Sequence, residues 1–236
     1  MKISIDNIDA IREEPDVFNE LLALDNKQII ELGCGKADLT RAIATGGEGR
    51  TVTAFEVDEI QHRENEKIAD LPNVKFMYGG AQKIAVDDSS ADVVFMFKSL
   101  HHVPLNMMGE SFSEIHRVLK PDGYVYVSEP IFAGEFNEIL RLFHDEEAVR
   151  SAAFEAEKNA VASGKFKLAS QTFFNAAMHF EDFTAFEKLV LGVTHTDFDL
   201  TSELMADVKK KFESHLGEDG AHFQMPIRVD LLQCVK

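Results

Sequence analysis

Three stretches of the chain combine residue types and spacings that can do chemistry. In the first, the apolar run Ile29-Ile30-Glu31-Leu32 meets Gly33-Cys34-Gly35 and then the helical stretch that begins near Asp38. The glycines let the backbone turn sharply and approach a ligand closely, and the helix start offers free N–H groups. The second is Glu56, which ends the run Thr51-Val52-Thr53-Ala54-Phe55-Glu56, 21 residues past Gly35. An acid so placed can accept hydrogen bonds from a ribose diol. The third is Lys98-Ser99-Leu100-His101-His102, after the apolar run Asp92–Phe97. Imidazole titrates near neutrality, so His101 and His102 are the candidate catalytic residues; the competing reading is a histidine that packs or caps the next helix. Adjacent histidines rarely converge on one ion, and no third ligand stands at a convincing spacing, so no metal is expected.

The glycine turn alone also fits a plain strand-to-helix turn, or a dinucleotide site. In the dinucleotide fingerprint a third glycine would fall at position 38, close to the pyrophosphate. Here it is Asp38, whose carboxylate repels a diphosphate but suits a ligand with a cationic end. An NAD(P)-linked oxidoreductase is therefore the weaker alternative. Cys34, beside a helix N-terminus, is expected to have a lowered pKa, yet reads as a small turn filler that cofactor would cover.

The elements that must position these groups follow from hydrophobic periodicity. Short apolar runs at Gln28–Leu32, Thr51–Val57, Val74–Tyr78, Asp92–Phe97 and Tyr124–Ser128 read as strands, two of them nearly solid, as parallel strands buried on both faces are. Helical stretches separate them; Met108, Phe112, Ile115 and Leu119 make one stripe that stops at the turn Lys120-Pro121-Asp122-Gly123. Alternation of this kind predicts a doubly wound α/β sheet with helices on both faces. Residues 1–26 carry one amphipathic helix after Pro15. Beyond Glu129-Pro130 come a helical insertion to about 163, a strand near Phe166–Phe174, a helix pair, and Met225–Cys234. That last segment alternates and so reads as a half-buried or edge strand. The whole is read as one domain over 1–236: an N-terminal cap (1–26), a cofactor core (27–130), and an insertion with closing strands (131–236) on the substrate side, too short for a core of its own.

Glu129 ends its strand at the ligand edge, either to contact substrate or as a solvated acid. Arg141 and Arg228 are candidates to grip a substrate carboxylate, against the plainer reading of surface or salt-bridged arginines. Phe132, Phe136, Phe143, Phe173 and Phe174 belong to the core or line an aromatic pocket.

Composition narrows the partners. Of 236 residues, 24 are Lys or Arg and 41 Asp or Glu, a net charge of −17, which disfavours nucleic acid and anionic membrane surfaces. Two cysteines make no disulfide framework, no apolar run approaches bilayer length, and no signal-like start is visible, so a cytoplasmic protein with a small-molecule substrate is expected. A homodimer stays open.

In order and spacing, ELGCG, the acid in AFEVDE, VKFMYGGAQKI, ADVVFMFKSLHHV and EIHRVLKPDGYVYVSEP resemble the class I S-adenosylmethionine-dependent methyltransferases, specifically the small-molecule "type 11", ubiquinone/menaquinone-like branch. The resemblance covers roughly residues 27–130. It implies a seven-stranded sheet of order 3-2-1-4-5-7-6 with the seventh strand antiparallel. It also implies S-adenosylmethionine as cofactor and S-adenosylhomocysteine as product. By the same resemblance Glu31, Gly33, Cys34, Gly35 and Asp38 surround the methionine part, Glu56 holds the ribose, and Val57 lies against adenine. Ala81 and Gln82 grip the adenine edge, and the backbone at Lys98 borders the amino-acid end. One departure stands out: the usual Gly-Asp-Ala of the adenine loop is Gly79-Gly80-Ala81 here. Methyl transfer to a nitrogen, oxygen or sulfur nucleophile is the implied activity. A catalytically inactive S-adenosylmethionine-binding module or sensor is the alternative.

Overall fold

The structure, a computed structural model, describes residues 1–193 and 198–236. It opens with helix α1 (Glu14–Leu21) and then alternates: β1 (Gln28–Leu32), α2 (Asp38–Thr45), β2 (Thr51–Glu56), α3 (Glu59–Asn65), β3 (Val74–Tyr78), β4 (Ala91–Phe97), α4 (Met108–Val118) and β5 (Leu119–Pro130). The second half holds α5 (Glu135–Leu140), α6 (Glu147–Ala162), β6 (Phe166–Phe180), α7 (Phe183–Phe186), α8 (Ser202–Glu213), the two-residue β7 (Leu216–Gly217) and β8 (Gly220–Cys234). The sheet runs β3-β2-β1-β4-β5-β8-β6, with β7 paired to β8. β1 to β5 are mutually parallel, and β8 is antiparallel to both its neighbours. Apart from the extra two-residue strand this is the expected topology.

The near-solid apolar runs became central strands because both faces are covered. On one side Met108, Phe112 and Ile115 of α4 and Ala153 of α6 pack on Val94, Val125 and Leu232. On the other, Val17 and Phe18 of α1 and Ile43 of α2 pack on Ile29, Phe95 and Tyr126, with the Phe18 ring edge-on to Phe95 at 5.4 Å. The turn at Lys120–Gly123 survives as a bulge inside β5: pairing with β4 jumps from Ala91–Leu119 to Val93–Tyr124, and Asp122 takes φ +60°. The edge strand β6 is shielded by the N-terminal segment, where Asn175 N–H donates to Ala10 O (2.7 Å) and Arg12 N–H to Asn175 O (3.0 Å).

Two expectations are corrected. Residues 225–234 are not an edge strand; β8 is central, and Pro226–Leu232 are buried. Its alternating polar residues face protein instead of water: Arg228 donates to Glu157 on α6 (2.8 Å) and to Asp230 (2.5 Å), and its guanidinium lies 4.5 Å from the Phe154 ring centroid. The inserted region also has a hydrophobic centre of its own, where Phe136, Phe180, Phe183, Phe186, Phe212 and Phe223 pack together. The strand β6 reaches past Phe174 to Phe180, and that extension carries part of this cluster.

Burial, and then the charge of Asp230, push the Glu157 carboxyl well above the ordinary range. Arg228→Met leaves Asp230 buried without its cation and is expected to cost about 3–5 kcal/mol in urea unfolding. Glu157→Gln, which mimics the protonated acid, should stay within about 1 kcal/mol of the parent.

Candidate functional site

The carboxyl ends of β1, β2 and β4 meet at the glycine turn. Leaving β1, the chain takes positive φ at Gly33 (+76°), Gly35 (+50°) and Ala37 (+64°), and α2 follows. The N–H groups of Gly33 and Cys34 both donate to Phe55 O at 2.9 Å. A Cβ on Gly33 would lie 2.7 Å from Ser99 Cβ, so no side chain fits there, whereas a Cβ on Gly35 would meet nothing within 4 Å. Gly35 thus faces open ground at the lip of the turn.

Glu56 fixes that lip. Its Oε2 accepts from Gly35 N–H (2.7 Å), and its Oε1 from Val57 N–H (2.8 Å) and Asp58 N–H (2.9 Å). Charge-assisted bonds to three backbone donors hold the carboxylate at the end of β2. Asn65, almost wholly buried, donates to Gly35 O (2.8 Å) and locks the turn from behind. Sequence reasoning missed Asn65, because an asparagine at a helix end carries no such signal. Val57 beside Glu56 is 56% exposed, and Tyr78, its partner strand's last residue, 60%. An apolar side chain in water next to a fixed carboxylate suits a nucleoside, base against Val57 and diol against Glu56.

Glu31 is buried and accepts from the Thr40 hydroxyl (2.6 Å). Burial raises its pKa to about 8, opposed by the Thr40 hydrogen bond and aided by the Glu56 charge. The same carboxylates overturn the expectation for Cys34. Its thiol is buried, and desolvation, Glu31 and Glu56 push its pKa up, outweighing the helix N-terminus. Asp38 is exposed at the start of α2.

At the adenine loop, Ala81 is buried and Gln82 half-buried. A Cβ on Gly80 would lie 2.5 Å from Gln82 Oε1 and 3.0 Å from its Nε2. The Gln82 amide therefore fills the ground that a side chain at position 80 would enter.

A second cluster forms where β4 ends. Lys98 takes φ +52° and donates its N–H to Ser128 O (2.7 Å), and Leu100–His102 make a short 3-10 turn. Glu129, buried at the end of β5, accepts from Leu100 N–H (2.9 Å) and from His101 Nδ1. The other His101 nitrogen, Nε2, faces Glu146 Oε1 at 3.5 Å, and His144 Nε2 lies 3.1 Å from the same oxygen. Burial lowers the His101 pKa, but Glu129 and Glu146 outweigh it and hold the value near 9. The ring of His102, exposed, lies 4.1 Å from that of His101, centroid to centroid.

Of the residues assigned to substrate, none joins this cluster except Glu129, which orients His101 from inside the protein. Arg228 is engaged with Glu157 and Asp230. Arg141 pairs with Glu138 (3.2 Å) and stacks 5.4 Å from the Phe132 ring centroid, on the surface of the insertion. Glu146 belongs to the cluster and was not anticipated.

Residues 30–127 match the family model described as "Methyltransferase domain". A demethylmenaquinone methyltransferase of Staphylococcus epidermidis is 35% identical over 116 residues, which is 48% of this chain and 47% of that protein. The chain spans about half the length of the curated relatives it matches. Among solved structures, the YcgJ protein of Bacillus subtilis superposes with TM-score 0.66 at 12% identity, over 94% of this chain and 98% of that one. A SAM-dependent methyltransferase of Methanosarcina mazei superposes with TM-score 0.58 at 16% identity, over 93% and 97%. These likenesses establish the fold. Among the described residues no helix is long and apolar enough to cross a membrane.

The raised Glu31 carboxyl has a measurable consequence. The folded chain keeps a proton up to about pH 8 that the unfolded chain releases near 4.5, so this group's contribution to stability is full below pH 4.5 and is lost as pH rises through 8. Glu31→Gln should remove that loss, gaining on the order of 5 kcal/mol over the parent at alkaline pH in urea unfolding, with little difference in acid.

Proposed function

We propose that this chain, a member of the class I S-adenosylmethionine-dependent methyltransferases through its residues 30–127, moves the cofactor's methyl group to a small-molecule nucleophile. The observation that carries the reading is the Glu56 carboxylate, fixed by three backbone donors beside the open ground over Gly35. The residues present fit the cofactor. The turn at Gly33 and Gly35, with Glu31 behind it, would take the amino-acid end; Glu56 the ribose hydroxyls; Val57 the adenine face.

Gln82 supports an active adenine loop. Its amide stands over Gly80, so a hydrogen-bonding group is available where the family's aspartate is missing. This weighs against the inactive-module alternative, whose argument was that missing acid. Gln82→Ala is expected to weaken S-adenosylhomocysteine binding about tenfold, the value of one good hydrogen bond in a desolvated site.

When bound, S-adenosylmethionine supplies a methyl group on a sulfonium, which leaves as a neutral thioether when the S–CH3 electron pair returns to sulfur. The chain's own contribution is to hold the acceptor in line, exclude water, and see that the nucleophile has lost its proton. Against its burial, Glu129 and Glu146 raise the His101 pKa to about 9, which favours the protonated ring at neutral pH. Acceptor choice belongs to residues beyond 130, which lie outside the segment matched by the family model. The net charge of −17 favours a neutral or cationic metabolite over a polyanion.

The reading is tested with methyl-labelled S-adenosylmethionine and a panel of amines, thiols, hydroxy acids and quinol-like phenols, following labelled product by mass spectrometry. Label is expected in one acceptor class, with stoichiometric S-adenosylhomocysteine. Glu56→Gln, which keeps shape but removes the charge, should weaken cofactor binding at least tenfold. Unchanged affinity in that variant would remove the main support.

A further inference from the structure

The cluster at the end of β4 holds more than a histidine and its counter-ion. His101, His102 and Glu146 each present one donor atom, and the three atoms all lie within 4.8 Å of one another. The carbonyl-like rigidity of a metal cradle comes here from the partners behind the donors. Glu129 uses Oε1 on Leu100 N–H and Oε2 on His101 Nδ1, so the His101 ring is fixed with Nε2 outward. A carboxylate behind a ligating imidazole is the usual device for orienting it and raising its basicity. Arg150 does the equivalent for Glu146: its Nη2 donates to Oε2 at 2.6 Å and its Nη1 to Asn137 Oδ1 at 3.1 Å. That leaves Glu146 Oε1 as the oxygen turned toward His101, and His144 Nε2 approaches the same oxygen at 3.1 Å.

We propose that His101 Nε2, a ring nitrogen of His102 and Glu146 Oε1 bind a divalent first-row transition ion such as zinc, on the acceptor side of the methyl-transfer site. Two imidazoles and one carboxylate form a borderline N/O donor set, suited to zinc and its neighbours and poorly to magnesium or calcium. Bond lengths of about 2.0–2.1 Å put tetrahedral donors about 3.4 Å apart, so the three atoms close on the ion with shifts of an ångström or so. His102 is exposed and sits on the same three-residue turn as His101. Three protein ligands leave a fourth position for an exogenous group.

Resting on the methyl-transfer reading, that position is where the acceptor's oxygen, sulfur or nitrogen would sit. The ion replaces the proton on His101 Nε2 and, by withdrawing charge, lowers the pKa of the bound acceptor. The acceptor's proton passes to solvent, its lone pair attacks the methyl carbon, and the new bond forms as the S–CH3 bond breaks. No oxidant or reductant is needed.

The experiment uses the full chain, stripped with chelator and titrated with Zn2+ by calorimetry and with Co2+ by visible absorption. In the same samples S-adenosylhomocysteine binding is measured separately. One ion per chain is expected at micromolar affinity or better, with the intense d–d bands of four-coordinate cobalt. His102→Ala and Glu146→Gln should each weaken binding tenfold or more. His222→Ala serves as the control, since His222 and His179 are also stacked (4.6 Å) beside Asp219 but far along the chain from this turn; it should change nothing. Absence of a stoichiometric site, or binding indifferent to His102→Ala, would overturn the proposal while leaving S-adenosylhomocysteine binding as it was. Failure of S-adenosylhomocysteine to bind would instead remove the methyl-transfer reading and leave the ion site standing.

Discussion

The structure depends on how one carboxylate resolves a backbone problem. Where β1 turns through Gly33 and Gly35 into α2, the chain must expose N–H groups that no strand or helix can pair. Glu56 answers one of these needs at Gly35 and two more past the end of β2, at Val57 and Asp58, so the turn and the end of β2 become one rigid unit. The same arrangement buries its neighbours beside that charge: desolvation, aided by Glu56, raises the Glu31 pKa to about 8 and pushes the Cys34 thiol up. A site this negative and this open invites a ligand that brings a cation at one end and a hydroxyl pair at the other. Its geometry therefore favours an adenosyl sulfonium over a dinucleotide.

The proposed acceptor side is built on a similar economy of fixed groups. Glu129 and Arg150 stand behind His101 and Glu146, and the donors in front of them converge from two elements that are distant in the chain. The two halves of the site meet at Lys98 and Ser99, where the end of β4 lies against both the glycine turn and β5. Ser99 donates to Leu32 O (2.7 Å), and the Lys98 N–H reaches Ser128 O. A ligand that bears on one half is thus mechanically joined to the other.

Much of this was legible in the residues. The solid apolar runs gave the parallel strands, the stripe on α4 gave its buried face, and the spacing of Gly35 and Glu56 singled out two residues that the fold joins by a hydrogen bond. What escaped were interactions between residues remote in sequence. Alternation at Arg228 and Asp230 looked like a solvent face because Glu157, their partner, lies on α6. Glu146 could not be paired with His101 by any spacing rule, since only the fold brings α6 to the end of β4. The thiol of Cys34 was misjudged from a local rule about helix ends, when its burial, and then the carboxylates of Glu31 and Glu56, push its pKa up. The phenylalanines of the insertion were legible as apolar but not as a separate cluster, because nothing local says that β6 runs on beyond the sheet.

The central claim is that the glycine turn and Glu56 hold an adenosyl cofactor. Calorimetric titration of ligand-free protein with S-adenosylhomocysteine, with NADH as the control, tests it most directly. The account predicts one micromolar site for S-adenosylhomocysteine and none for NADH. Binding of NADH in preference, or of neither, would contradict it.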